Sequence, residues 1–189
     1  MFVRSGVILL LIIMASCTTV TFHELHTEGI NYLKLHRFNW ALESFLEAEE
    51  LEPSNVKLLS DISYVYYKIG KYEASIKYTN KVLKIEPDNI KALQRKAVSY
   101  RKLGNYSKSI NSLETLLSLN QTDYVTLYLL ARNKFDLKQY QESITLLASV
   151  TSIISTIDKS GLPDREKKNI RKIERNIVTM KNKINRNIK

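Results

Sequence analysis

Residues 56–89 read VKLLSDISYVYYKIGKYEASIKYTNKVLKIEPDN, and residues 90–123 read IKALQRKAVSYRKLGNYSKSINSLETLLSLNQTD. Laid one above the other, they agree at Leu59 and Leu93, Tyr66 and Tyr100, Gly70 and Gly104, Tyr72 and Tyr106, Ser75 and Ser109, and Ile76 and Ile110, each pair 34 residues apart. The same step taken outward reaches Leu25 and Leu127 in the leucine column, Phe38 and Tyr140 in the ring column, and Leu42 and Ile144 in the aliphatic column. Three columns filled four times in register mark an internal repeat, and a fixed period of this length decides architecture before any local reading. The repeats run 22–55, 56–89, 90–123 and 124–157.

Within each repeat the apolar spacing is helical. Leu25, Gly29 and Tyr32 share one face of a first helix, and Ala41, Leu42, Phe45 and Ala48 share one face of a second. Each repeat is therefore expected to be a helical hairpin. Gly70 and Gly104 fall between the two helices, where a residue without a Cβ can take the left-handed conformation that closes a helix, and Pro53 and Pro87 stop the second helix. Small residues recur at Gly29, Ser63, Ala97 and Ala131, and again at Ala41, Ser75, Ser109 and Ser143. They let paired helices approach closely, so the recurring serines are read as packing residues. Only 5 Gly and 3 Pro in 189 residues leave little turn chemistry for a many-stranded sheet. The fold expected is all-α, a solenoid of four helical hairpins with a C-terminal amphipathic capping helix.

This pattern resembles the tetratricopeptide repeat, whose marks are a large apolar residue, a small residue, Tyr, then Ala, an aromatic, and a final Pro at fixed offsets. Repeat one carries Leu25, Gly29, Tyr32, Ala41, Phe45, Ala48 and Pro53. Repeat two keeps Leu59, Ser63, Tyr66, Ser75, Val82 and Pro87 but has Thr79 where an aromatic is usual, and repeat three has Gln121 in place of the proline. Repeat four departs most, with Lys134 in the tyrosine column and no proline. The resemblance implies a protein or peptide ligand held in a concave groove lined by the first helices. Carried over position by position, it nominates His26, Leu33, Lys34, Lys57, Tyr64, Tyr67, Lys68, Lys91, Arg95, Val98, Arg101, Lys102, Tyr128, Arg132 and Phe135. Rings alternating with cations suit an acidic peptide with apolar anchors. Some members grip a C-terminal carboxylate with Lys, Asn, Asn, Lys and Arg. Lys91 and Arg95 match two of those positions, whereas His26, Ile30 and Asp61 do not, and Asp61 would repel such a ligand.

Beyond the repeats, residues 163–189 form a basic amphipathic helix. Asp164 is placed as its N-cap, and Ile170, Ile173, Ile177, Met180, Ile184 and Ile188 follow at three- and four-residue steps. A terminal repeat exposes the flank that its next neighbour would cover, so a cap with a polar outer face is expected there. That outer face holds Arg165, Lys167, Lys168, Arg171, Lys172, Arg175, Lys181, Lys183, Arg186 and Lys189 against Glu166 and Glu174. A helix of this kind can also meet an anionic lipid surface or an acidic partner.

At the other end, Arg4 is followed by the apolar run Val7 to Met14 and then by Ala15-Ser16-Cys17, which is the grammar of an export signal. The run is far shorter than the ~20 apolar residues of a membrane-spanning helix. Met14-Ala15-Ser16-Cys17 resembles the bacterial lipobox, which implies cleavage after residue 16 and acyl chains on Cys17, with residues 17–21 as a short tether. Each buried acyl methylene contributes ~0.8 kcal/mol, so two or three chains would anchor the protein durably. The resemblance implies a bacterial cell-envelope location, and Thr18 in place of Asp after the cysteine leans to the outer membrane.

Composition bounds the remaining functions. The chain is 44% hydrophobic and 25% charged, ordinary for a domain that buries a core, and 29 Lys and Arg against 19 Asp and Glu give a formal charge of +10. That balance favours anionic partners, with nucleic acid disfavoured by export. The single cysteine excludes a disulfide framework and a cysteine-based zinc site. His23-Glu24-Leu25-His26 spaces its histidines three apart where a zincin needs four, and Leu25 is a core column. No phosphate loop and no nucleophile constellation occurs, so no enzyme activity, cofactor or metal is expected. The functional expectation is a membrane-anchored interaction scaffold of the envelope, with a role in outer-membrane assembly. The alternative is a surface lipoprotein that binds a host or polyanionic ligand through the basic C-terminal helix.

Overall fold

The computed structural model describes residues 20–120 and 122–187. Residues 1–19, with Cys17 among them, and Gln121, Ile188 and Lys189 lie outside the described residues. Within them the chain forms nine helices and no strand: α1 (Phe22–Lys34), α2 (Phe38–Leu51), α3 (Val56–Lys68), α4 (Tyr72–Ile85), α5 (Ile90–Lys102), α6 (Tyr106–Leu119), α7 (Tyr124–Asp136), α8 (Tyr140–Thr156) and α9 (Asp164–Asn187).

Each hairpin is opened and closed by the same chemistry. Thr21, Asn55, Asn89 and Asp123, one column of the repeat, accept hydrogen bonds from the first backbone N–H groups of α1, α3, α5 and α7. A cap of this type contributes about 1 kcal/mol. Thr21 and Glu24 complete a reciprocal capping box. At the other end, the N–H groups of Arg37, Lys71, Asn105 and Gln139 donate to the carbonyls of Tyr32, Tyr66, Tyr100 and Lys134, all at 2.9 Å. This closure needs a left-handed residue just before the donor. Gly70 and Gly104 supply it at φ 79° and 73°, as their positions predict, but the outer hairpins use His36 at φ 57° and Lys138 at φ 61°. Those two side chains cost about 1–2 kcal/mol each in that conformation.

The two small-residue columns do different things. In the first, size is matched across the hairpin. A Cβ on Gly29 would lie 2.4 Å from Phe45 Cε1, so the fully buried Phe45 ring of the second helix requires the absence of a side chain in the first. In repeat two the same positions hold Ser63 and Thr79, whose hydroxyls approach to 3.4 Å, which accounts for the missing aromatic. The second column is more than packing. Ser75, Ser109 and Ser143 donate to the carbonyls of Ser63, Ala97 and Ala131 at 2.8, 2.7 and 2.9 Å, clasping second helix to first. Ser99 and Asn133 of the following repeats then donate to Ser75 and Ser109 at 3.3 and 2.7 Å. Buried polar links thus tie the second hairpin to the third and the third to the fourth, each adding about 1 kcal/mol and fixing register, while Ala41 leaves the first hairpin without one of this kind.

Lys134, the odd member of the tyrosine column, is explained by its partner eight residues on. Tyr32 stacks edge-on against Trp40, Tyr100 lies under Lys108, and Lys134 forms a 2.7 Å ion pair with Glu142. Both residues of the pair change together, so the contact survives with different chemistry.

α9 caps the stack. Ile170, Ile173, Ile177, Met180 and Ile184 are at most 8% exposed, and the first four pack with Tyr128, Ala131, Leu147, Val150 and Ile154 of the last hairpin. Asp164 is the first helical residue rather than the cap, because the Pro163 carbonyl already accepts from Glu166 and Lys167. The start of α9 lies beside the start of α7, and its middle beside the end of α7, so α9 runs in the direction of α7 and takes the place of a fifth first helix.

Candidate peptide-binding groove

The first helices α1, α3, α5 and α7 form one layer of the stack, and their outward positions carry the residues nominated from the repeat register. Lys34, Lys57, Lys68, Lys91 and Lys102 are exposed, while Leu33, Tyr64, Tyr67, Arg95, Val98, Arg101, Arg132 and Phe135 are half-buried. Half-burial matters, because a side chain already held in place loses less rotamer entropy when a ligand arrives.

Tyr64 of α3 is the centre of this arrangement. The Arg95 guanidinium carbon lies 4.8 Å from its ring centroid and the Lys68 ammonium 5.5 Å, contacts of about 0.5–1 kcal/mol each. Arg95 is thereby pre-positioned across α3 and α5. Burial pushes its guanidinium pKa down, whereas Tyr64, Asp61 and Tyr67 hold it up, and an arginine remains charged throughout. Further along, Arg132 lies 5.6 Å over Tyr128, and Phe135 packs near Tyr140.

Three nominated residues are placed otherwise than the register implies. His26 is 7% exposed, bonded at 3.0 Å to Asp61 and stacked on Phe22, so it joins α1 to α3 rather than facing a ligand. Tyr128 is 5% exposed because Met180 and the rest of the α9 stripe join its cluster. Arg101 is bonded to Asp136 at 2.5 Å, so its charge is used within the fold. The same pairing logic revises Asp61. Its carboxylate is bonded to His26 and lies near the Arg95 guanidinium, so it has partners within the fold.

Asp136, the partner of Arg101, is the site residue that repeat reasoning passed over. The signal for Asp136 was a reversed sign in a column that otherwise reads Lys34, Lys68 and Lys102, with Arg101 one repeat earlier. Among the described residues no group of three His, Cys, Asp or Glu side chains could hold a metal ion, and no helix is long and apolar enough to cross a membrane.

Capped helical hairpins stacked at a period of 34, with a layer of first helices presenting rings and cations, make up the tetratricopeptide-repeat fold. The comparisons agree on that fold. The model of the family described as anaphase-promoting complex, cyclosome, subunit 3 matches residues 68–150. A tetratricopeptide repeat protein from Parabacteroides merdae ATCC 43184 superposes with a TM-score of 0.73 at 18% identity, covering 88% of this chain and 61% of that one. MamA from Desulfovibrio magneticus RS-1 gives 0.70 at 16% identity over 73% of this chain and 78% of that one. MamA from strain MSR-1 gives 0.67 at 18% identity over 73% and 79%. At these identities the likeness is one of fold. No curated protein matches the sequence.

Proposed function

We propose that the chain is a membrane-anchored adaptor of the bacterial cell envelope that takes a peptide segment of another protein along α1, α3, α5 and α7. The observation that carries the reading is the Tyr64, Lys68 and Arg95 cluster, a ring with two cations held against it on two neighbouring repeats. An acidic peptide with an apolar anchor would use both parts, the ring and the cations. Lys34, Lys57, Lys91 and Lys102 extend the cationic character along the layer, so the ligand segment is acidic over several residues. Selection of random peptides of about 12 residues on the purified protein tests this. Acidic sequences with aromatic or aliphatic anchors are expected, with loss of binding in a Tyr64→Ala, Arg95→Gln variant. Enrichment of neutral or basic peptides indifferent to those substitutions would refute it.

The anchor rests on the lipobox-like Met14-Ala15-Ser16-Cys17 at the end of the apolar run. Only about four residues separate Cys17 from α1, which would hold the groove close to the membrane and favour a membrane-proximal partner, as an accessory in outer-membrane assembly has. Intact mass of the protein from its native membrane decides the point. A mass lacking residues 1–16 and raised by acyl chains, both lost on Cys17→Ala, is expected; an unmodified full-length mass would end the envelope reading.

A further inference from the structure

The seam between α7 and α9 continues the groove beyond the fourth repeat. A cavity of about 650 Å³ there is lined by Tyr124 and Val125 of α7 and by Arg165, Glu166, Lys168 and Lys172 of α9. Val125 belongs to the column of Lys57 and Lys91, so the cavity opens on the groove side of the layer. Two turns on, a second cavity of about 220 Å³ is lined by Arg101, Arg132, Phe135, Asp136, Met180 and Lys183. Of the α9 cations at the seam, none of Arg165, Lys168, Lys172 and Lys183 is in a salt bridge among the described residues.

The rest of α9 narrows what these cations can serve. Its apolar stripe is spent on capping, and Val178 is its one exposed large hydrophobic residue among those described. A helix that lies in a bilayer surface needs that stripe free to enter the acyl boundary. The cations are also not uniform: Arg171, Arg175 and Arg186 are exposed on the same helix but line neither cavity. The seam therefore combines concave shape, unpaired positive charge and, beside Phe135 and Met180, apolar surface, the combination that an acidic segment of a protein fits.

We propose that the α7–α9 seam is an anion-accepting subsite at the C-terminal end of the groove, which receives carboxylate side chains of the same protein partner. This rests on the groove reading and adds to it: α9 is both the cap and one wall of the binding site. Partner carboxylates sit among Arg165, Lys168 and Lys172, and an apolar side chain of the segment reaches the pocket beside Phe135 and Met180. Glu166 at the rim disfavours a ligand of uniform dense charge and favours one with spaced carboxylates.

The test compares two variants of equal charge change in the full chain, Lys168→Gln, Lys172→Gln, Lys183→Gln against Arg171→Gln, Arg175→Gln, Arg186→Gln. Both sets are surface substitutions, and melting temperature checks that both stay folded. The probe is a fluorescein-labelled peptide of about 12 residues with alternating Glu and Phe or Leu, followed by anisotropy at about 150 mM salt. The seam set is expected to weaken binding roughly tenfold or more, three charge-assisted contacts each contributing severalfold, with the outer set within about threefold of wild type. Equal losses from the two sets would overturn the subsite in favour of diffuse charge. Loss with Tyr64→Ala, Arg95→Gln but none with the seam set would overturn it while leaving the groove reading intact. Tighter binding of anionic vesicles or a single-stranded oligonucleotide than of the peptide, dependent on the same seam residues, would overturn the choice of partner.

Discussion

Replacing Gly29 by Ala puts a methyl carbon 2.4 Å from Phe45 Cε1 and 2.5 Å from Cδ1, more than 1 Å inside ordinary carbon contact. Phe45 is fully buried, so its ring has no solvent to swing into. Alanine is better than glycine in a helix by about 1 kcal/mol, while overpacking a filled core costs about 1–3 kcal/mol. With an overlap this deep the upper end applies, and Gly29→Ala is expected to destabilise by about 1–2 kcal/mol. The same substitution made after Phe45→Leu should stabilise by about 0.5–1 kcal/mol, because it recreates the pairing of Ala97 with Leu113 and of Ala131 with Leu147. The sign reversal, a coupling of about 2 kcal/mol, is measured as a double-mutant cycle by urea unfolding at constant slope. Equal effects of Gly29→Ala in the two backgrounds, or stabilisation in wild type, would refute the volume-matching account.

Other consequences follow from the same columns. His36→Gly and Lys138→Gly should each raise stability by about 1 kcal/mol in chemical unfolding, since both residues sit at positive φ, whereas Gly70→Ala and Gly104→Ala should lower it by a similar amount despite open space around each glycine. Ser109→Ala leaves the fully buried Asn133 amide without its acceptor and should cost about 2–3 kcal/mol, against about 1 kcal/mol for Ser143→Ala, which removes only the clasp to Ala131; differential unfolding curves separate the two. Ile170→Ala in the cap should cost about 2–5 kcal/mol and, by hydrogen exchange, loosen α7 and α8 before α1 to α4, because each repeat contacts only its neighbours.

The architecture was legible because a solenoid repeats its requirements. Leu25, Leu59, Leu93 and Leu127 meet the same need four times, and no single departure hides the period. What the columns concealed was substitution in pairs. Thr79 looks like a lost aromatic until Ser63 is seen facing it, and Lys134 looks like a lost tyrosine until Glu142 is. The serine column was read by size alone, and its hydrogen bonds emerge only when the facing carbonyls of Ser63, Ala97 and Ala131 are placed. In the groove, register places Tyr64, Arg95 and Arg132 on first helices, but it is blind to contacts between repeats. Those contacts withdraw His26 into a pair with Asp61, Arg101 into a pair with Asp136, and Tyr128 beneath α9.

The central claim is that the first-helix layer, and not the opposite face, receives the partner. A photoreactive side chain placed in turn at Tyr67, Lys91, Val98 and Arg132, and at the exposed second-helix residues Lys77, Asn111 and Thr145, tests it against an acidic peptide that the protein has selected. Crosslinks mapped by mass spectrometry are expected at the first set alone; crosslinks confined to Lys77, Asn111 and Thr145 would contradict the account.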